Sequence, residues 1–167
     1  MVAAASLLAG CISLFPQTEP AQLYRFGVTM PQVQEATSGE PGFGVLLTAT
    51  GFDRAAAGDR ILTVTGTQAA YIKDARWVTA SVGLFDSALQ RAFDADKGPA
   101  RLVDRAEIVH ADYVLKLDVR TFEARYDRGQ AVAPTIVVEV HAALDRTDDR
   151  TVVSDRSFKA SVTAGEN

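Results

Sequence analysis

Cysteine and histidine, the side chains used most often in nucleophilic, metal-binding and redox chemistry, are scarce in this chain. The 167 residues include one cysteine, Cys11, and two histidines, His110 and His141. A single cysteine cannot form an intramolecular disulfide, and the histidines stand far apart without an H-E-x-x-H or C-x-x-C context. The sequence also lacks a G-x-S-x-G nucleophile elbow and the lysine of a phosphate-binding loop. These patterns predict a protein that is not an enzyme and direct attention to Cys11.

The residues before Cys11 form the clearest pattern in the sequence. Met1–Phe15 carries no charge, but it is shorter than the ~20 apolar residues that cross a bilayer. Leu8, Ala9 and Gly10 resemble the lipobox of bacterial lipoproteins, in which small residues let the backbone enter a peptidase cleft. In that chemistry the cysteine thiol receives a diacylglyceryl group, and cleavage frees the cysteine amine for a further acyl chain. We therefore predict covalent lipidation of Cys11 and no other cofactor.

A chance Ala-Gly-Cys in a buried N-terminal helix is the alternative interpretation, since free cysteine is often buried. The sole cysteine, the apolar run before it and the proline-containing stretch after it favour the lipobox. Only ten residues precede Cys11, without a basic start, so we interpret 1–10 as a signal-peptide remnant and 11–22 as a lipidated tether. Ile12 stands where an aspartate retains lipoproteins at the inner membrane, and therefore favours the outer membrane.

Composition and charge exclude one class of partner. The net charge is -4 and the sequence pI about 5.1, and the basic residues form no cluster. Because nucleic-acid affinity depends on clustered Lys and Arg that neutralise phosphates, we expect no nucleic-acid partner. With 47% hydrophobic and 23% charged residues, the chain has the composition of a globular protein. Its length suits one domain, which we place at 23–167.

The apolar periodicity predicts one main helix between Thr79 and Asp96. Its apolar stripe, at steps of three and four, consists of Val82, Phe85, Leu89 and Phe93. Either Thr79 or Ser81 is suited to cap the helix, and Gly98-Pro99 ends it. A stripe of this kind predicts packing against a core rather than a cofactor site.

Alternating apolar and polar residues predict the strands. The strand candidates are 23–26, 43–50, 60–65, 68–73, 111–121, 135–144 and 151–162. The parity of the apolar residues inverts after Thr121, which indicates a β-bulge. Because the connections between the later strands are short, we predict an α+β fold in which an antiparallel sheet of about five to six strands packs on the helix as a two-layer sandwich.

The order of these features resembles the ABC-type transport auxiliary lipoprotein family, which accompanies mammalian-cell-entry (MCE) type lipid transport systems. The most specific parts of this resemblance are Arg76-Trp77 before the helix, Asp112-Tyr113 at the start of the long strand, and Phe158 in the last strand. The resemblance covers roughly residues 7–164. The family pattern continues with a C-terminal helix where this sequence stops, so we expect either that the helix is absent or that the sequence is a fragment, with part of the sheet face uncovered.

We expect the residues of these motifs to be structural. Trp77 is predicted to pack under the helix rather than stack on a lipid or partner. Arg76 is predicted to form a surface salt bridge rather than hold a phosphate headgroup. Asp112 opens its strand, and its carboxylate has Arg76 or Arg105 as candidate partners.

The resemblance implies a non-enzymatic protein, lipid-anchored at the periplasmic face of the bacterial outer membrane, that serves as an anchor or docking subunit. The implied partners are an MCE-domain protein with its ABC permease and ATPase, and a homo-oligomer is compatible with this role. Two alternatives stay open. One is a stand-alone lipoprotein of envelope integrity or outer-membrane assembly, and the other is a periplasmic lipid-binding carrier with a cavity between helix and sheet.

Overall fold

A computed structural model describes residues 20–27, 42–96, 98–103 and 111–165. In these ranges the chain forms one nine-stranded mixed sheet and one α-helix. The strands are β1 (Gln22–Tyr24), β2 (Phe43–Leu47), β3 (Gly51–Phe52), β4 (Arg60–Thr65), β5 (Gln68–Trp77), β6 (Ala100–Val103), β7 (Ala111–Arg125), β8 (Thr135–Arg146) and β9 (Val152–Thr163). The helix, α1, spans Ser81–Ala95. Among the described residues, no helix has both the length and the apolar character needed to cross a bilayer.

The long strand β7 organises the sheet, because its fifteen residues leave room for several neighbours along one edge. Along that edge β7 pairs in parallel with β2, β3 and β4 in succession. Along its other edge β7 pairs antiparallel with β8, and β8 pairs antiparallel with β9. The sheet extends from β4 through β5 to β1, and from β2 to β6. A β-bulge between Val119 and Thr121 confirms the change of face predicted near Thr121.

This architecture corrects the predicted antiparallel sheet of five to six strands on a main helix. The sheet is mixed, it has nine strands in the described part of the chain, and its one helix is short. The hairpins β4–β5, β7–β8 and β8–β9 are antiparallel, as short connections require. The prediction was wrong about β1, β2, β3 and β6, which pair in parallel with strands distant in sequence. These strands have only two to five residues, too few for alternation to reveal their pairing.

The buried apolar side chains lie mainly along β7 and the strands beside it. The fully buried Val119 sits at the centre of β7. Further buried apolar side chains are those of Val45, Leu62, Val103, Leu117, Ala124 and Val137. The helix covers part of one sheet face, where Phe85 meets the ring of Phe52 edge-on at a centroid distance of 6.0 Å. Thr50 Oγ1 also donates a hydrogen bond of 2.6 Å to Asp86 Oδ1, which fixes the helix to the β2–β3 connection.

The start of α1 differs from the predicted side-chain cap. Ala80 occupies the N-cap position and makes no side-chain capping bond. Ser81 is instead the first helical residue and is completely buried, with its hydroxyl donating to Ala56 O and its N–H to Gly58 O. The predicted cap is wrong because the serine hydroxyl ties the helix to the β3–β4 connection rather than to its own first turn.

Gly27 brings the chain that follows β1 against α1. Its φ of +69° lies in the left-handed region that favours glycine. A Cβ at this position would stand 2.5 Å from the Ala88 Cβ, so the close approach itself requires glycine. Arg91 Nε donates a hydrogen bond of 2.9 Å to Gly27 O from the next helical turn.

A tight turn joins β8 to β9 and holds β9 beside its neighbour. Arg146 N–H donates to Thr151 O at 2.9 Å, and Arg150 N–H donates to Arg146 O at 3.1 Å. The backbone N–H of Thr151 also bonds to Asp149 Oδ1 at 2.9 Å, and this bond lowers the pKa of the Asp149 carboxyl. The turn leaves β9 as the last strand of the sheet in the described part of the chain.

We predict that Ser81→Ala lowers the free energy of unfolding by about 1–2 kcal/mol, because it leaves a buried carbonyl without its donor. The measurement is urea unfolding followed by circular dichroism. Ser87→Ala is the matched control: Ser87 is exposed on the same helix and donates to Gly83 O, so its loss should change stability by less than about 0.5 kcal/mol. Equal effects of the two substitutions would contradict the role assigned to Ser81.

Candidate functional site: an apolar groove beside the helix

A cluster of aromatic rings joins β3, β5, β7 and the segment just after β1 on the helix side of the sheet. The Phe122 ring stands at its centre, 5.1 Å from Phe26, 5.5 Å from Phe52 and 5.9 Å from Trp77 between ring centroids. Phe26 and Trp77 meet edge-on at 5.2 Å. Offset and edge-on pairs of this kind stabilise a fold beyond the apolar area that they bury.

The β-bulge in β7 places Phe122 in this cluster. Up to Val119 the odd-numbered residues of β7 face the core, and after the bulge the even-numbered Phe122 and Ala124 take over that face. Their partners on β8 are Val138 and Ile136, respectively, and partners in an antiparallel pair share one face of the sheet. The bulge therefore sets Phe122 and Ala124 beside the two β8 residues.

An apolar groove with a volume of about 460 Å³ opens beside the aromatic cluster. Phe26, Trp77 and Phe122 line one part of it. Ile72, Ile136 and Val138 line another part, with Ala164 close to the end of β9. The groove has the size and chemistry to receive aliphatic chains or apolar side chains of a partner. Its polar side chains include Arg25, which is exposed, and Glu123.

The apolar face that holds the groove continues outwards to β9. Val140 pairs with Phe158 and Ile136 pairs with Val162, so all four side chains share one face. Phe158 is 56% exposed and Val162 is 64% exposed. Contiguous exposed apolar side chains mark interaction surfaces in soluble domains.

The structure places Arg76 and Trp77, the residues of the first family motif, in different surroundings. The Arg76 guanidinium lies on the surface and bonds to Asp59 Oδ2 at 3.1 Å. The Trp77 ring is half-buried in the aromatic cluster and lines the groove. The backbone N–H of Trp77 donates to Asp59 O at 2.7 Å. Trp77 therefore packs within the aromatic cluster and also forms part of the candidate binding surface.

The second motif connects β2 to β7. Asp112 Oδ2 accepts a hydrogen bond of 2.7 Å from Gly44 N–H, rather than pairing with Arg76. Arg105, the other candidate partner, lies outside the described residues. The Tyr113 ring meets Phe43 edge-on at 5.2 Å, which reinforces the same junction. These contacts connect the first residues of β2 to those of β7, and none of these residues lines the groove.

The proposed lipidation site, Cys11 with Leu8, Ala9 and Gly10, lies outside the described residues. The number of residues between Cys11 and β1 nevertheless limits how far the folded domain can lie from the lipidated cysteine. At a maximum of about 3.6 Å per residue, the stretch from Cys11 to Gln22, where β1 begins, reaches at most ~40 Å. The domain would stay within that distance of a membrane that held the acyl chains.

A serine, a histidine and an aspartate that sequence reasoning did not connect meet on the polar face of the sheet. His141 Nδ1 lies 3.4 Å from Ser157 Oγ, and His141 Nε2 lies 3.5 Å from Asp155 Oδ1. The contacts are long, and Asp155 is 60% exposed, whereas the aspartate of a catalytic triad is buried. The arrangement fits a solvated polar network, and only the β8–β9 register could have revealed it. The described part of the chain also holds no group of three or more His, Cys, Asp or Glu side chains placed to bind a metal.

Comparison with solved structures identifies proteins of similar fold. Protein XCC0632 from Xanthomonas campestris, of the DUF330 family, shares 23% identity and a TM-score of 0.70, with 88% of this chain and 81% of that chain covered. A second crystal structure, of an uncharacterized protein, shares 12% identity and a TM-score of 0.65 over 89% of this chain and 84% of that one. Hypothetical protein CT253 from Chlamydia trachomatis shares 8% identity and a TM-score of 0.51, with 73% of each chain covered. No functionally curated protein matches the sequence.

A family model describes nearly all of the folded part of the chain. The model of the ABC-type transport auxiliary lipoprotein component matches residues 24–167, from β1 through β9. The matched range includes the aromatic cluster, the groove and the three family motifs named above. The chain therefore belongs to the ABC-type transport auxiliary lipoprotein family.

Proposed function

We propose that this protein is a non-enzymatic lipoprotein that serves an ABC/MCE-type intermembrane lipid transport system as its outer-membrane anchor or docking subunit. The observation that supports the proposal is the family match over residues 24–167, preceded in the same chain by Leu8-Ala9-Gly10-Cys11. The family supplies the link to ABC transport, and the lipobox supplies a means of anchoring. The MCE partner and the outer membrane are parts of the proposal.

Acyl chains on Cys11 would provide the attachment to the membrane. Each buried CH₂ contributes about 0.8 kcal/mol, and two or more chains hold a protein stably where one does not. The short stretch between Cys11 and β1 then keeps the folded domain close to the periplasmic face of the outer membrane. In that position the domain can contact a partner that approaches from the periplasm.

The apolar groove and the exposed face beside it supply a docking surface for a transporter subunit. The groove is lined by aromatic and aliphatic side chains, and the exposed Phe158 and Val162 continue its face. Buried aromatic anchors in such pockets supply much of the binding energy at protein interfaces. The polar network around His141 lies on the opposite face and serves no step in this role.

A second candidate function is that of a periplasmic lipid carrier, and the groove is the observation that favours it. A volume of about 460 Å³ lined mainly by apolar side chains is suited to an acyl chain, with Arg25 available for an anionic headgroup. Such a carrier would retain lipid during purification of the folded domain. Lipid extraction followed by mass spectrometry distinguishes the two candidates, because a docking surface would carry no stoichiometric lipid.

Affinity purification from detergent-solubilised membranes tests the proposed function. The tagged protein should bring the ATPase, permease and MCE-domain subunits with it, while an unrelated tagged lipoprotein should bring none of them. Recovery of the protein without any transporter subunit would contradict the proposal. That result would favour the stand-alone role in envelope integrity or outer-membrane assembly.

A further inference from the structure

The strand β9 presents a long open edge. One side of β9 pairs with β8 over almost its whole length, and no other strand in the described part of the chain pairs with its second side. Its side chains are exposed on both faces of the sheet from Asp155 to Thr163. Long unpaired edges are templates for pairing with another strand, and proteins usually shorten, cover or bend them.

The hydrogen bonds to β8 identify which backbone groups of β9 point outwards. Ala164 N–H donates to Pro134 O at 2.8 Å, next to the pair formed by Thr135 and Thr163. Bonded and non-bonded pairs alternate along an antiparallel ladder, so the even-numbered residues of β9 bond to β8. The residues whose N–H and C=O groups point away from β8 are therefore Asp155, Ser157, Lys159, Ser161 and Thr163.

The geometry points to a second copy of this chain as the occupant of the edge, paired antiparallel through a two-fold axis at Ser157. This register places Ser157 opposite its own copy, and it places Asp155 of each chain opposite Lys159 of the other. The N–H and C=O groups of all these residues point away from β8. In this register they can therefore form hydrogen bonds to the second copy, while Asp155 and Lys159 form ion pairs. A two-fold axis at Asp155 or at Lys159 would instead place like charges opposite each other.

The same register also gives favourable pairs on the apolar face of the sheet. Arg156 of one copy stands opposite Phe158 of the second, where a guanidinium can stack on an exposed ring. The two apolar faces, each with Ile136, Val138 and Val140 beside its own Phe158, then join into one surface. The contact is isologous, as in most homodimers, and it goes beyond the proposed transport function because it requires no transporter subunit.

Cysteine cross-linking tests the register. In the full chain carrying Cys11→Ser, Ser157→Cys introduces the only thiol. Two such residues would stand about 5.5 Å apart between Cα atoms, within the ~4.4–6.8 Å that a disulfide spans. Ser161→Cys is the matched control on the same edge, but its two copies would stand ~27 Å apart.

Mild oxidation should therefore give a disulfide-linked dimer with Ser157→Cys and only a collisional background with Ser161→Cys. Equal yields from the two variants, or a lower yield from Ser157→Cys, would overturn the proposal. Non-reducing gels and intact mass measure the yields.

Charge exchange provides a second test that needs no cysteine. In sedimentation measurements on the Cys11→Ser chain, Asp155→Lys should weaken dimerisation about tenfold, because two attractive pairs become repulsive. Adding Lys159→Asp to that variant should restore it, while Asp148→Lys in the adjacent turn should have no effect. The proposal would be overturned if the Cys11→Ser protein stayed monomeric at all concentrations, or if Asp155→Lys did not change its dimerisation. A strand from another protein would then be the candidate partner for the edge.

Discussion

Replacing Cys11 with alanine should transfer the protein from the membrane fraction to the soluble periplasmic fraction and abolish its labelling with palmitate. The thiol is the only group in the sequence that a diacylglyceryl transferase of the lipobox type can modify. Without it the chain loses every acyl chain at once, and each chain contributes about 0.8 kcal/mol per buried CH₂. The expected redistribution is therefore nearly complete rather than partial.

The experiment uses the gene in its own bacterium, with radiolabelled palmitate and fractionation of the cells. Ser13→Ala is the control, since it changes a neighbouring residue without touching the lipobox. It should leave both labelling and membrane association unchanged. Wild-type protein that takes up no palmitate, or a Cys11→Ala protein that stays with the membranes, would contradict acylation as the means of attachment.

Phe122→Ala should lower the free energy of unfolding by about 2–4 kcal/mol. Its ring contacts Phe26, Phe52 and Trp77, so truncation removes several aromatic contacts and widens the groove that the ring lines. For a domain of this length the midpoint of thermal unfolding should fall by about 5–15 °C. Thermal and urea unfolding followed by circular dichroism measure the change.

Leu23→Ala is the control for this prediction. Leu23 lies in β1 and is 64% exposed, so its truncation should cost less than about 0.5 kcal/mol. The loss of stability for Phe122→Leu should lie between the losses for Phe122→Ala and Leu23→Ala, because leucine keeps apolar volume but loses the contacts between aromatic rings. Similar losses for Phe122→Ala and Leu23→Ala would show that the aromatic cluster does not hold these strands together.

Local features of the fold were accessible from the sequence because they depend on residues close together in the chain. The stripe of Val82, Phe85, Leu89 and Phe93 predicted a helix that the structure places at Ser81–Ala95. The inverted parity after Thr121 predicted the bulge that turns Phe122 towards the helix side. Both signals arise within a few residues, where side-chain periodicity reports backbone geometry directly.

The mixed sheet depends on contacts between distant segments, and no local pattern reports them. Gly51 pairs with Asp118, and Gly44 with Ala111, through strands of two and five residues. Parallel pairing of this kind arises only after the intervening chain has folded back, so composition cannot distinguish it from a loop.

The groove and the polar network around His141 could not be predicted from the sequence for the same reason. The groove requires β5, β7 and β8 to bring Ile72, Phe122 and Val138 together, and the contact of His141 with Ser157 requires the register of β8 on β9. An uncovered part of the sheet face was expected from the family resemblance. Which side chains it exposes, Phe158 among them, depends on the register of β9 on β8.

Transfer of labelled phospholipid between the two membranes of the cell is the measurement that tests the proposed function most directly. We predict that transfer slows when the gene is deleted, returns with the wild-type protein and stays slow with Cys11→Ala, because an unanchored domain cannot connect the transporter to the outer membrane. Transfer that is unchanged by the deletion would contradict a role in lipid transport. Full restoration by Cys11→Ala would contradict the anchor.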